Sequence, residues 1–188
     1  MVMKDYVSSL RASVDALRLE ELEAAAEVLN HAREHGKRVY IFGNGDSATN
    51  SLHYAMDLSK GITVDGERRF RSISLNENVP LLTALGNDYG YEQVFKSQLE
   101  GLLEVGDVVI GISGSGNSPN VLKGIEYANS LGAVTIGITA MGGGKLKGIA
   151  KHSIVVDTDS MEIAEDVHFI IGHMLKMHLI SRMKGGKK

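Results

Sequence analysis

Val39-Tyr40-Ile41-Phe42-Gly43-Asn44-Gly45-Asp46-Ser47-Ala48 is the stretch whose reading decides the fold. Four apolar residues in a row read as a strand buried on both faces, and a Gly/Ser turn then leads into a helical pattern that carries His53 and Asp57. A strand, a tight turn and a helix N-terminus in succession aim backbone N–H groups at an anion. His53 and Asp57 are four residues apart, so both leave one helix face about 5–6 Å apart at Cβ. Such a pair is a metal site in part, an acid–base pair, or a surface hydrogen bond without function. Its place just beyond an anion cradle favours function.

The same grammar recurs downstream. Asp107-Val108-Val109-Ile110-Gly111-Ile112 is the most strand-like run in the chain, and it enters a second Gly/Ser turn, Ser113-Gly114-Ser115-Gly116-Asn117-Ser118, ahead of a helix near 119–130. Further strands fall at 71–75, 133–138 and 154–156, and further helices at 47–60, 78–86, 91–103 and 161–183. Asp159-Ser160-Met161-Glu162 resembles a capping box opening the last of these. Gly86-Asn87-Asp88-Tyr89-Gly90 reads as a loop between two helices, offering either a helix stop or acceptors for sugar hydroxyls. Five strands alternating with helices predict an α/β fold, a five-stranded parallel sheet covered by helices on both faces and doubly wound. Ligands of such sheets sit beyond the C-terminal strand ends, where both Gly/Ser turns lie.

Leu10, Val14, Leu17, Leu22, Ala26 and Leu29 keep a three-to-four-residue spacing, so residues 3–35 form one long or two consecutive amphipathic helices ended by Gly36. This arm has no strand to cross over, and is expected either to join subunits or to pack on its own. The chain reads as one domain, residues 1–188, with the arm at 1–36, an α/β core at 37–184 and a tail at 185–188 that frays.

With a formal charge of -3 over 188 residues, and no basic cluster beyond Lys187-Lys188, the chain is not expected to bind nucleic acid directly. There is no cysteine, so any metal needs His, Asp or Glu ligands. The apolar runs are strand-sized and the first residues lack a signal-peptide core, which predicts a cytoplasmic protein with no membrane partner. Glycine, 22 of 188 residues, exceeds the usual ~7%, and the excess sits in turns after apolar runs.

Gly43-Asn44-Gly45-Asp46-Ser47-Ala48 formally matches G-x-G-x-x-G/A, with Asp65 near the place of a ribose-binding acid. Taken alone the match leaves a dinucleotide open. The second turn decides against it: Ser113, Ser115 and Ser118 stand as Ser47 does, and two hydroxyl-rich turns suit one phosphate monoester. Asp46 in an anion cradle would repel phosphate, so it is expected to point outward as a helix-capping acid. Glu165, Asp166, His168 and His173 form a polar group amid apolar residues of the last helix. His152 and His178 look like ordinary histidines, and Met174 and Met177 like packing.

These residues resemble the phosphoheptose isomerases of the sugar-isomerase (SIS) fold, which the chain matches through nearly its whole length, arm included. The resemblance implies interconversion of sedoheptulose 7-phosphate and D-glycero-D-manno-heptose 7-phosphate. It places Asn44, Gly45, Asp46 and Ser47 on the first substrate turn, Asn87 and Asp88 on a sugar-contacting pair, and Ser113, Gly114, Ser115 and Ser118 on the phosphate loop. His53, Asp57, Glu165 and His173 fall on positions that bind zinc in the family, with other divalent ions open. Asp57 and His173 would also be the acid–base pair, and Glu165 would contact substrate. Homotetramers with sites at subunit contacts are implied too. Asp57 stands where the family has Glu, Glu165 where it has Gln, and Asp46 and Gly114 where it has Gly and Thr. Some SIS relatives are non-catalytic tetramers that bind a replication initiator, and that is the alternative function.

An aldose–ketose isomerisation through an enediol needs a base for the C–H proton and an acid for the carbonyl oxygen, which would be Asp57 and His173. Glu165 and His173 are eight residues apart, ~12 Å along a straight helix, too far to share one ion comfortably. The expected answer is a site completed across subunits, the others being a distorted helix or a Glu165 that serves substrate alone.

Overall fold

Every strand pairs in parallel, in the order β2-β1-β3-β4-β5, in the computed structural model, which describes residues 2–185. The strands are β1 (Arg38–Gly43), β2 (Arg71–Ser74), β3 (Val108–Ser113), β4 (Val134–Thr139) and β5 (His152–Val155). Around them lie α1 (Met3–Asp15), α2 (Leu19–Glu34), α3 (Asp46–Met56), α4 (Val79–Tyr89), α5 (Val94–Glu100), α6 (Pro119–Ser130), α7 (Gly144–Ile149) and α8 (Met161–Gly185). Of the tail expected to fray at 185–188, Gly185 belongs to α8, and the other three residues lie outside the described ones.

The strand pleat sorts the core into two layers. Val39, Ile41, Val108, Ile110, Ile112, Ile136 and Ile138 face one side, under α2, α3 and α8. Tyr40, Phe42 and Val109 face the other, with Phe95, Leu99, Val121, Ile125 and Leu146. Phe42 and Phe95 stack there with ring centroids 4.6 Å apart. Side chains alternate faces along a strand, so a run apolar at every position is the signature of a sheet covered twice.

From β1 the chain moves outward to β2, then returns to place β3 on the other flank of β1. The connections after β1 and β3 therefore diverge, opening a crevice at their C-terminal ends. Both Gly/Ser turns border it.

The N-terminal arm is two helices. α2 buries Leu22, Ala25, Ala26 and Leu29 within this chain, whereas α1 buries only Ser13. α1 is tied down by Ser13 Oγ, which donates to the Asp157 carbonyl (2.9 Å), and by Tyr6 OH, which donates to Asp166 (2.6 Å).

Three helix ends differ from expectation. The first crossover helix stops being α-helical at Met56 and continues as a π-helical turn, Asp57–Gly61. α4 runs through Gly86, Asn87 and Asp88 to Tyr89, so the expected loop is helix, and the break falls at Gly90 with φ 87°. Residues 91–103 divide into a 3-10 turn, Tyr91–Gln93, and the shorter α5. α4 buries no residue, and its Val79 and Tyr89 are 60% and 66% exposed. Among the described residues no helix is long and apolar enough to cross a membrane.

Candidate active site

The first turn bends at Gly45, whose φ of 55° is strained for any residue with a side chain. Asp46 and Ser47 follow as the first residues of α3. In the second turn Ser118 precedes α6, whose first residue is Pro119, as a helix start favours. The Ser113 and Ser118 hydroxyls lie 3.0 Å apart. Two helix N-termini thus converge on one place, each with a partial positive charge.

That place is a cavity of about 370 Å³. Asn44, Gly45, Asp46 and Ser47 line it from the first turn, and Ser113, Gly114, Ser115 and Ser118 from the second. Ile112 of β3 and Met161 and Glu165 of α8 complete the lining. Among the described residues no lysine or arginine lines it, so an anion there would rely on N–H groups, hydroxyls and helix dipoles.

Three features of this cavity were not visible in the sequence. The two turns are fastened together: Asn44 Nδ2 donates to Asn120 Oδ1 (2.9 Å), Asn120 Nδ2 donates to Asn44 Oδ1 (2.8 Å), and Tyr91 OH also donates to Asn44 Oδ1 (2.9 Å). The end of β1 is closed by Asn76, whose amide donates to the Gly43 carbonyl (3.0 Å) and accepts from the Gly43 N–H (3.2 Å). Gly114 lies beneath Met161, whose sulfur would stand 2.5 Å from a Cβ at that position. The Thr implied by the family resemblance therefore has no room unless Met161 moves.

Asp46 is the helix-opening acid expected, but it does not turn away from the cavity. Its side chain hydrogen-bonds Glu165 on α8. Burial first, and that hydrogen bond second, raise the Glu165 pKa above the usual carboxylate range. Two carboxyl groups in contact retain a proton more readily than either does alone.

Farther along the same two helices His53, Asp57 and His173 converge. His53 Nε2 lies 3.0 Å from His173 Nε2 and 3.2 Å from Asp57 Oδ2, and His173 Nε2 lies 3.7 Å from that oxygen. Phe169 packs against both rings, with centroids at 4.3 and 4.9 Å. Asp57 is buried, and its Oδ2 has no hydrogen-bond partner. Its other oxygen accepts from Lys176 Nζ at 2.6 Å.

These three groups offer one donor atom each within 4.8 Å of one another. A tetrahedral ion with bonds of about 2.0–2.1 Å separates its ligand atoms by ~3.3 Å, inside the observed spread. An unpartnered buried carboxylate oxygen facing two imidazole nitrogens fits a divalent cation, and two His and one carboxylate leave a position open to substrate.

The other expected residues stand elsewhere in the chain. Glu165 belongs to the cavity wall and not to the cluster of three. Asn87 donates to Asp88 (2.8 Å) on the exposed last turn of α4, outside the cavity lining. His168 is fully buried, and neither ring nitrogen has a hydrogen-bond partner. Burial lowers its pKa to about 4, so it is a neutral core residue. Met177, expected as packing, is 63% exposed. Lys176 was missed, although it follows His173 by three residues on one helix and so shares its face.

Residues 4–140 match the family model described as SIS domain. A probable phosphoheptose isomerase of Thermoplasma acidophilum is 38% identical over 159 residues, covering 85% of this chain and 87% of the relative. The chain belongs to the phosphoheptose isomerase family of SIS-domain proteins. Another member of that family, the phosphoheptose isomerase of Aquifex aeolicus, is 39% identical over 159 residues, covering 85% of this chain and 83% of its own. The solved phosphoheptose isomerase of Neisseria gonorrhoeae superposes with a TM-score of 0.86 at 25% identity, covering 96% of this chain and all of that one.

Proposed function

We propose that this chain is a sugar phosphate aldose–ketose isomerase that interconverts sedoheptulose 7-phosphate and D-glycero-D-manno-heptose 7-phosphate through an enediol. The single observation that carries the reaction class is the buried Oδ2 of Asp57 beside two imidazole nitrogens, on the same two helices that wall an anion cavity. The relatives' names supply a phosphoheptose as the substrate class, and the pair of isomers is the one the family resemblance implies.

The serine turn and the converging helix N-termini bind the phosphate. Asp57 takes the proton from the carbon next to the carbonyl and returns it to the neighbouring carbon. His173 delivers a proton to the carbonyl oxygen and recovers one from the adjacent hydroxyl, so nothing is gained or lost overall. His53, Asp57 and His173 would hold zinc, which when bound polarises the sugar oxygens and stabilises negative charge on them. Glu165 and Asp46 serve as acceptors for sugar hydroxyls.

The cavity and the cluster lie ~10–12 Å apart along α3 and α8. We favour a homotetramer in which one protomer's cluster completes another's cavity. Leu52 and Met56 support that placement, being 42% and 46% exposed beside His53 and Asp57. In such an assembly Asn87 and Asp88 would reach sugar from a neighbouring α4.

The test is solvent proton exchange on C5–C7 ketose phosphates, with and without added zinc. The wild type should exchange the proton next to the carbonyl, most rapidly on the seven-carbon substrate. Asp57→Asn and His173→Gln should abolish exchange and keep phosphosugar binding. Saturable binding without exchange on every substrate would replace the enzyme with a regulatory phosphosugar-binding module.

A further inference from the structure

Asp57 has two carboxylate oxygens in different surroundings. Oδ1 meets the Lys176 ammonium at 2.6 Å, and Oδ2 faces His53 and His173 at 3.2 and 3.7 Å with no hydrogen bond of its own. The side chains of Asp57 and Lys176 are only 7% and 26% exposed, so solvent weakens their contact little. The local backbone is shaped around this pair. Asp57 opens the π-helical turn that ends at Gly61, and a Cβ on Gly61 would fall 2.8 Å from Asp57 Oδ1 and 2.9 Å from Lys176 Nζ. Turns of this kind are rare and concentrate at functional sites.

A carboxyl group rotates about its last bond in a broad, roughly two-fold well. An aspartate with no partner would present either oxygen to the histidines at a range of tilts. A charge-assisted hydrogen bond to one oxygen fixes which oxygen is left over and where it points. Asp has one methylene fewer than the Glu implied by the family resemblance, so it has less reach to spare and depends more on being aimed.

We propose that Lys176 is a positioning residue for this centre, pinning Oδ1 of Asp57 so that Oδ2 is held between His53 and His173. This rests on the reading of Asp57 as base and ligand. The ammonium meets Oδ1 and the histidines meet Oδ2, so in this proposal the orienting effect of the lysine outweighs its repulsion of a cation. Groups that hydrogen-bond a ligating carboxylate typically contribute about 10–100-fold in metal affinity or activity.

The experiment compares wild type, Lys176→Met and Lys176→Arg, with zinc affinity read by chelator competition, and with kcat, KM and thermal midpoint measured on the same samples. Met keeps the length of the stem and the helix propensity, so K176M should fold and keep KM within about twofold. It should lose about 10–100-fold in zinc affinity and in kcat, and K176R should recover most of both. Unchanged or tighter zinc binding together with unchanged kcat in K176M overturns the proposal, and so does a K176R no better than K176M. A wild type that is active yet binds no zinc overturns the metal reading alone, and an Arg-rescued loss of kcat then upholds Lys176 as the positioner of the base.

Discussion

Asn44 and Asn120 exchange amide hydrogen bonds in both directions, at 2.9 and 2.8 Å, and so join the turn after β1 to the start of α6. Both amides are spent on each other, with Tyr91 adding a third bond. Asn44 thereby acts on the spacing of the two turns, whose N–H groups and hydroxyls face the cavity. Asn120→Leu should widen that spacing. The expected outcome is a ~10-fold higher KM for sugar phosphate with kcat within about threefold, and a stability loss of about 1–3 kcal/mol from the stranded amide. Steady-state kinetics and urea unfolding check both, and a lost kcat at constant KM would contradict this role.

His168 should make the fold acid-sensitive. Its pKa falls from 6.5 to about 4 because burial disfavours the charged ring. Between those values the unfolded chain binds a proton that the folded chain refuses, so stability is full above about pH 6.5 and declines as the pH falls towards 4. The contribution lost is on the order of 3 kcal/mol. Between pH 7 and 4.5 the thermal midpoint of the wild type should fall relative to that of His168→Leu as the solution is acidified. Parallel curves would mean that His168 does not couple to protons in this way.

Glu165→Gln should strengthen phosphate binding, and more so at higher pH. Burial and the Asp46 hydrogen bond raise the Glu165 pKa, so lowering the pH already neutralises it in the wild type. Calorimetric titration with inorganic phosphate over a pH series should show the gap between the two proteins narrowing as the pH falls. A constant ratio across the range would show that the Glu165 charge is not what opposes the anion.

Leu52→Glu and Met56→Glu put a charge on the exposed apolar face of α3 next to His53 and Asp57. If that face is covered by a second subunit, sedimentation should show smaller species, with exchange activity falling in step. Dissociation with full activity would show that one protomer holds a complete site.

Much of the fold was legible in the sequence because the core strands are apolar on both faces: Val39–Phe42 and Val108–Ile112 admit few other readings. Their parallel pairing followed from the alternation with helices, and with it the end of the sheet at which a ligand sits. The helix after β2 was harder. Gly86 resembles a stop and is tolerated inside α4, whereas Gly90, at φ 87°, makes the break. The π turn at Asp57 was invisible, since one extra residue in a helical turn leaves the apolar spacing almost unchanged. For the candidate site, spacing along one helix announced His53 with Asp57. Nothing local could announce that Lys176 would meet Asp57 or that Glu165 would meet Asp46, since those contacts exist only once α3 and α8 lie side by side.

The π-helical turn also bears on length. A regular α-turn would need one residue fewer between Asp57 and the loop that leads to β2. Homologous chains one residue shorter here would keep His53 and Asp57 in place and straighten the helix, carrying residue 61 around the axis and away from the carboxylate. Gaps of a single position at 58–60 in comparisons among relatives would then mark a change in how the carboxylate is braced, with the fold unaltered.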